Sequence, residues 1–285
     1  MLALVRFALG AAAGSFLNVL ILRYKPGSNL FGGQLLGRSR CPGCGEALRW
    51  FELIPIISFI FLRARCARCG AKISFQYPAV ELICGLIAAF VPEYLVQFYT
   101  TAPTAWFSLL SVLWTIVFLT WLTIAIIDVR QYLVPDELNI ILAVCGAALL
   151  VMHFSGPLQA FPASFLRHYA FMFFPSTSVL LSRVLGALLG GAFLSLFAFL
   201  SRGRAMGWGD VKLALAGGFI LGFPDTAVSL FIAFIAGGIF GAVMLLLRRK
   251  TMKDRLPFAP FLVGGMAFTV LFGYQALAAY FGLLL

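Results

Sequence analysis

Eight apolar runs dictate what this chain can fold into. They cover residues 1–22, 78–99, 107–127, 137–155, 179–200, 211–224, 227–247 and 261–283 of a 285-residue sequence. Most are near the length of about 20 residues that a helix needs to cross a hydrocarbon core of about 30 Å. Lipid offers the backbone no hydrogen-bond partner, so a long unalternating run must satisfy itself as a helix rather than as a barrel strand. Composition agrees, with 62% hydrophobic and 11% charged residues against about 45–50% and about 25% in soluble domains. The expectation is an all-α, polytopic membrane protein of about eight transmembrane helices. The run 211–224 is short and carries Gly217, Gly218 and Gly222, so neighbouring helices must shield it or it crosses only part of the bilayer. The first run has Arg6 as a basic flank in the manner of a signal peptide. Its apolar stretch continues to Leu22 and no small-x-small pattern closes it, so it reads as a retained helix.

The basic residues orient these helices. Of 21 Lys and Arg, nine fall in 23–77, one in 128–136, three in 201–212 and five in 248–260. Only Arg6, Arg167 and Arg183 fall on the opposite side. Cytoplasmic loops carry the Lys/Arg excess, so those four segments are expected in the cytoplasm and both termini outside. The net charge of +11 is then accounted for by orientation and anionic inner-leaflet lipid, and does not call for nucleic acid.

The loop 23–77 alone is large enough to be a domain. It holds Cys41-Pro42-Gly43-Cys44 and Cys66-Ala67-Arg68-Cys69, separated by 21 residues. Each pair can turn two thiolates to one ion, and two such knuckles supply tetrahedral zinc. The separation lies just beyond the usual ribbon window of about 15–20 residues. A pair of disulfides is the alternative, but it needs an oxidising compartment, whereas the charge pattern puts this loop in the reducing cytoplasm. A redox Cys-x-x-Cys centre is another, without the βαβ pattern that would support it. Four cysteines fill a coordination sphere, so the expected zinc is structural, and metal binding would supply folding free energy to a loop with little core. Cys84 and Cys145 lie inside apolar runs and read as packing residues.

The ten acidic residues can be weighed one by one. Glu46, Glu52 and Asp254 lie in polar loops, Glu93 and Asp225 near outer helix ends, and all five read as solvated. Asp128 ends the third run, and Asp210 opens the sixth within Gly207-Trp208-Gly209-Asp210-Val211-Lys212. Both are expected at the cytoplasmic membrane boundary, where carboxylates are costly and mark function or pairing. Two aspartates sharing a site cannot both ionise easily, so the pair holds one proton and can hydrolyse a peptide bond. Gly207 and Gly209 remove side-chain bulk around Asp210, letting a substrate strand approach. The bland alternative pairs Asp128 with Arg130 and Asp210 with Lys212 in helix-end salt bridges. Asp136 follows Pro135 and suits a helix N-cap, yet is also the rival to Asp128. Glu137 suits a first helical turn, and Glu81, early in the second run, must find a partner. His153 and His168 both fall on the outer side, which argues against a serine–histidine centre.

Taken in order, these segments resemble the bacterial type IV prepilin peptidases, the leader peptidase/N-methyltransferases. Gly14-Ser15-Phe16-Leu17-Asn18-Val19 resembles the family's first-helix signature. The cysteine pairs, Leu53-Ile54-Pro55-x-x-Ser58 and Ile73-Ser74-x-x-Tyr77-Pro78-x-x-Glu81 follow in family order. Asp128 with Val134-Pro135-Asp136 is similar to the first catalytic aspartate and its downstream Pro-Asp, and Gly207-x-Gly209-Asp210-x-Lys212 to the GxGD signature of the second. The resemblance implies an aspartyl protease that cuts the basic leader from prepilins and pseudopilins, of type IV pili or type II secretion, at the inner membrane. It implies methylation of the new N terminus by S-adenosylmethionine. Asp128 and Asp210 would be catalytic, with Gly207, Gly209, Lys212, Asp136 and Glu81 in support, and Cys41, Cys44, Cys66 and Cys69 would bind zinc. The domains would be a first transmembrane helix (1–22), a cytoplasmic zinc-binding domain carrying the methyltransferase part (23–77) and a membrane-embedded peptidase (78–285). Methylation rests on the resemblance alone, because no strand leads into a GxGxxG turn. Segment 156–178 matches no family motif and reads as an insertion packed against the membrane. Three other readings remain open: a peptidase with a purely structural zinc loop, a transporter with a zinc-bound regulatory loop, and an inactive zinc-ribbon adaptor.

Overall fold

A computed structural model describes residues 1–27, 30, 37–99, 103–155, 164–174, 178–203, 206–249, 251 and 254–283. Parts of the loop 23–77 (28–29 and 31–36), parts of the outer segment (156–163 and 175–177), Arg204, Lys250 and Lys253 lie outside the described residues. Among the described residues, all regular structure is helical apart from two isolated antiparallel bridges, Arg40 to Ala47 and Arg65 to Lys72. Seven helices are long and apolar enough to cross a membrane. They are α1 (Leu2–Arg23), α3 (Gln76–Val96), α4 (Thr104–Gln131), α5 (Asp136–Ser155), α7 (Val179–Leu200), α9 (Asp225–Leu246) and α10 (Ala259–Gly282). Three shorter helices are α2 (Ile57–Phe61), α6 (Ala170–Phe173) and α8 (Trp208–Leu221). Among the described residues the count of long spans is therefore seven rather than eight. The run expected at 211–224 is the 14-residue α8, only about 21 Å long at 1.5 Å per residue.

The chain forms two compact units, Met1–Val96 and Gln97–Leu285. In the first, α1 packs on α3 through small residues. A methyl added to Gly10 would stand 2.5 Å from the Ala88 Cβ, and one added to Gly14 would stand 2.9 Å from the Glu81 Cα. Such contacts drive helix association where lipid removes the hydrophobic incentive. Asn18, fully buried, donates its side-chain amide to the Tyr77 carbonyl at 3.1 Å. The signature over 14–19 is thus a packing device: Gly14 brings the helices together and Asn18 fixes their register.

In the second unit, α7 and α8 run side by side with their backbones nearly in contact. A methyl on Gly186 would meet the Gly218 carbonyl at 2.5 Å, and one on Gly190 the Ala214 carbonyl at 2.6 Å. The descending partners (190 with 214, 186 with 218) show the two helices antiparallel, so α8 returns the chain to the end where α7 began. Neighbours shield this short helix, as anticipated: most of its residues, from Asp210 to Leu221, are buried. At its far end Arg183 donates to the Phe219 and Ile220 carbonyls at 3.2 and 3.0 Å, satisfying carbonyls that a helix terminus leaves orphaned.

Asp225 departs from the solvated role expected of it. It is fully buried, accepts the Ser164 hydroxyl, and accepts the Phe165 N–H at 2.8 Å. Its carboxylate anchors the described part of the outer segment, whose Phe165 ring packs edge-on against Trp114 at 5.0 Å. Leu166 is buried there as well, whereas Phe171, Met172 and Phe173 of α6 are exposed.

Candidate active site and metal centre

Asp128 sits in the last turn of α4 and Asp210 in the first turn of α8, and the fold brings them within electrostatic reach of one another. Both are buried, 5% and 8% exposed. Each meets the start of a helix, where unpaired N–H groups favour negative charge. The Asp128 Oδ2 accepts the Ala259 N–H that opens α10, at 3.1 Å. The Asp210 Oδ2 accepts the Gly207 N–H at 3.3 Å, while its Oδ1 is buried with no hydrogen-bond partner among the described residues. An acceptor buried without a donor is costly unless something supplies one, and a water or a substrate group would do so here.

Gly209 explains how α8 reaches this position. A methyl there would stand 2.9 Å from the Val134 Cβ, so only glycine lets α8 seat against the segment leading into α5. Beside the substrate access expected of this glycine, the structure shows it seating the helix. Two residues past Asp210, Lys212 reaches across to Asp136, placing Nζ 2.8 and 2.9 Å from the two carboxylate oxygens. Two expectations change. Lys212 pairs with Asp136 rather than with Asp210, and Asp136 is the first residue of α5, its carboxylate committed to an exposed ion pair rather than to capping. Asp136 thereby differs from Asp128, which is buried.

Glu81 belongs to the first unit. It is buried, and its carboxylate accepts the Ile56 N–H at 2.7 Å. Ile56 has a φ of +63° and heads α2, so the partner that Glu81 needed is a turn of the cysteine loop. The Ala259 N–H and Val134 contacts escaped sequence reasoning because they depend on which distant segments meet. The involvement of Asn18 was foreshadowed by its motif, though not its bond.

The four cysteines of the loop come together. The sulfurs of Cys41, Cys44, Cys66 and Cys69 all lie within 4.8 Å of one another, and none is in a disulfide. The two knuckles are near copies. The Cys41 N–H donates to the Glu46 carbonyl and Gly45 N–H to the Cys41 carbonyl, as the Cys66 N–H donates to Ala71 and Gly70 N–H to Cys66. Gly45 and Gly70 hold φ values of +71° and +70°, a left-handed turn that glycine adopts without strain. Zinc–sulfur bonds of about 2.3 Å at tetrahedral angles put sulfurs about 3.8 Å apart, and the Cys41 and Cys69 sulfurs are 3.8 Å apart. Backbone N–H groups of Cys69 and Arg68 pull the Cys66 thiol down to about 7. The Cys69 thiol, despite the Ala71 N–H, is pushed up to about 11 by desolvation and its cysteine neighbours. Four thiols this close cannot all ionise without a cation among them, so the set fits a metal ion.

These observations describe a class: a polytopic helical membrane protein with two buried aspartates at one site and a compact pair of knuckles bearing four cysteines. Comparison with known proteins gives the family. Residues 8–94 match the bacterial peptidase A24 N-terminal domain, and residues 113–242 match the type IV leader peptidase family. The chain is 31% identical to a prepilin leader peptidase/N-methyltransferase of Bacillus subtilis (strain 168), over 85% of each chain. It is 29% identical to a protein of that name from Stutzerimonas stutzeri, over 97% of this chain and 93% of the relative. A third, from Burkholderia pseudomallei (strain 1026b), is 32% identical over 83% of this chain and 67% of the relative. The chain therefore belongs to the type IV leader peptidase family and is an enzyme of that family. No solved structure matches it.

Proposed function

We propose that this enzyme cuts the leader from type IV prepilins or pseudopilins at the cytoplasmic face of the bacterial inner membrane, then N-methylates the new terminus. The observation that carries the reading is that two buried aspartates, Asp128 and Asp210, stand at helix ends within electrostatic reach of one another, Asp210 on a glycine-seated turn. In this reading one carboxylate takes a proton from a water, whose oxygen attacks the scissile carbonyl, while the partner carboxylic acid donates to the carbonyl oxygen. The tetrahedral carbon then expels the amine, which takes the proton the first carboxylate gained from water, while one hydroxyl of the gem-diol returns its proton to the partner carboxylate and restores the dyad's starting form. The N–H groups of Ala259 and Gly207 hold the carboxyls in place. Lys212 and Asp136 tie the two segments beside them.

Cys41, Cys44, Cys66 and Cys69 would hold a structural zinc ion, whose chemistry there is to neutralise four thiolates and lock both knuckles. N-methyl transfer comes from the relatives' name, S-adenosylmethionine as its donor comes from the family resemblance, and no residue is assigned to the donor. The Lys/Arg bias supports a cytoplasmic cysteine loop with both termini outside. The same charge suits anionic lipid rather than nucleic acid.

The test is mass spectrometry of a cognate prepilin incubated with the purified enzyme and S-adenosylmethionine. Wild type should release a shortened, methylated product, while Asp128→Asn and Asp210→Asn, still folded, should leave the substrate intact. Wild-type cleavage by either variant would end the dyad assignment.

A further inference from the structure

Between the cysteine knuckles, the residues Trp50–Phe61 present an apolar surface that no other described part of the protein covers. Trp50 is 78% exposed, Ile60 67% and Phe61 82%, with Phe51, Leu53 and Ile57 also open. On α2 the exposed positions 57, 60 and 61 follow i, i+3, i+4 spacing and so share one face. No basic residue interrupts the stretch, yet Arg49 precedes it, and Arg63 and Arg65 follow it, all exposed. An apolar face with aromatic residues and basic flanks is the pattern of a segment lying in a membrane interface.

Depth decides what covers this face. The Ile56 N–H donates to Glu81 at 2.7 Å, and Glu81 lies five residues inside α3, about 7.5 Å below its start. Gly14 of α1 is level with Glu81, in near contact with its Cα. The end of α1 at Arg23 lies nine residues beyond Gly14, about 13 Å along the axis. The Glu81 side chain leans back toward the start of α3, so the turn that heads α2 sits near that start and still below the end of α1 at Arg23. Both helices are long and apolar enough to cross the membrane, which puts this face at the level where they leave it.

We infer that Trp50–Phe61 is a monotopic anchor that beds the cysteine loop into the same leaflet its flanking helices leave, with Arg49, Arg63 and Arg65 on anionic headgroups. Charge complementarity names the headgroup: Arg63 and Arg65 make no ion pair among the described residues. The loop's acids are engaged, Glu46 with Arg68 at 2.6 Å and Glu52 with the Arg49 N–H at 2.6 Å. Leaflet identity rests on the orientation proposed above; insertion itself does not, and neither needs catalysis to be observed.

The experiment places a benzophenone amino acid at Ile60 or Phe61 of the full-length protein, reconstituted in vesicles of phosphatidylcholine with or without phosphatidylglycerol. Illumination followed by mass spectrometry should find acyl-chain adducts. Phosphatidylglycerol should be favoured, and that preference should fall about fivefold for each of Arg63→Gln and Arg65→Gln. Adducts to a second copy of the chain, or no acyl-chain adduct at all, would overturn the anchor. Equal capture of both lipids would overturn the anionic preference. Trp50 gives a check that leaves the face intact: the emission lost in Trp50→Phe should be quenched by brominated acyl chains. Quenching of that emission by aqueous iodide alone would sink the proposal.

Discussion

A single methyl group separates a working Gly209 from an obstructed one. At 2.9 Å from the Val134 Cβ, the added carbon of Gly209→Ala must push α8 off its seat, an overpacking on the order of 1–3 kcal/mol. The displacement falls on the turn that carries Asp210, and misplacing a catalytic group by about 1 Å costs on the order of 10²-fold in rate. Cleavage should therefore fall far more than thermal stability does. Adding Val134→Ala should restore much of the rate, because the two substitutions act through one contact; a double variant as slow as Gly209→Ala would show that the contact is not the cause. The burial of Asp128 and Asp210 was legible in the sequence because a carboxylate beside an apolar run is costly and rare. Asp225 was misread for a related reason: a helix-opening aspartate after a proline looks the same whether water or the Ser164 hydroxyl faces it. The Lys212 to Asp136 pair was equally hidden, since adjacency in sequence favoured Asp210 as the partner.

Among elements, the long helices were readable within a few residues because lipid leaves an apolar run one way to satisfy its backbone. The short α8 was not readable as a crossing by length. Its course depends on glycines at Gly186 and Gly218 that allow backbone contact with α7, and no hydropathy window reports that. The cysteine loop is the opposite case: spacing alone pointed to four sulfurs around one ion, and the paired left-handed turns at Gly45 and Gly70 were marked by their glycines. The loop's described residues bury little apolar side chain besides Cys41 and Leu30, so the metal would have to supply much of its cohesion. Chelation at neutral pH, or Cys66→Ser, should expose bonds between residues 37 and 75 to added protease and abolish methylation first. Prepilin cleavage should persist, since its carboxylates belong to the second unit. Unchanged proteolysis of the loop after chelation would count against a structural metal.

At the scale of the whole molecule, the sidedness of the chain follows from where its cations fall and from the number of crossings. Seven long helices alone would leave the two termini on opposite sides. The antiparallel packing of α8 on α7 adds a return, and the proposed orientation with both termini outside needs that return to count as a crossing. All five lysines, Lys25, Lys72, Lys212, Lys250 and Lys253, belong to the four segments proposed to be cytoplasmic, while the segments proposed to lie outside keep only arginines. This makes amine chemistry a clean reporter. A membrane-impermeant amine reagent added to sealed right-side-out spheroplasts should modify no lysine of this protein. The same reagent on inside-out vesicles should modify Lys25 and Lys72, and Lys212 more slowly, because its ammonium is held by Asp136. Peptide mass spectrometry reads each site separately. Labelling of Lys212 from outside would invert the second unit and move the carboxylate pair away from the compartment in which a prepilin leader resides, whereas labelling of Lys72 from outside would put the cysteine knuckles in an oxidising space, where disulfides would displace the metal.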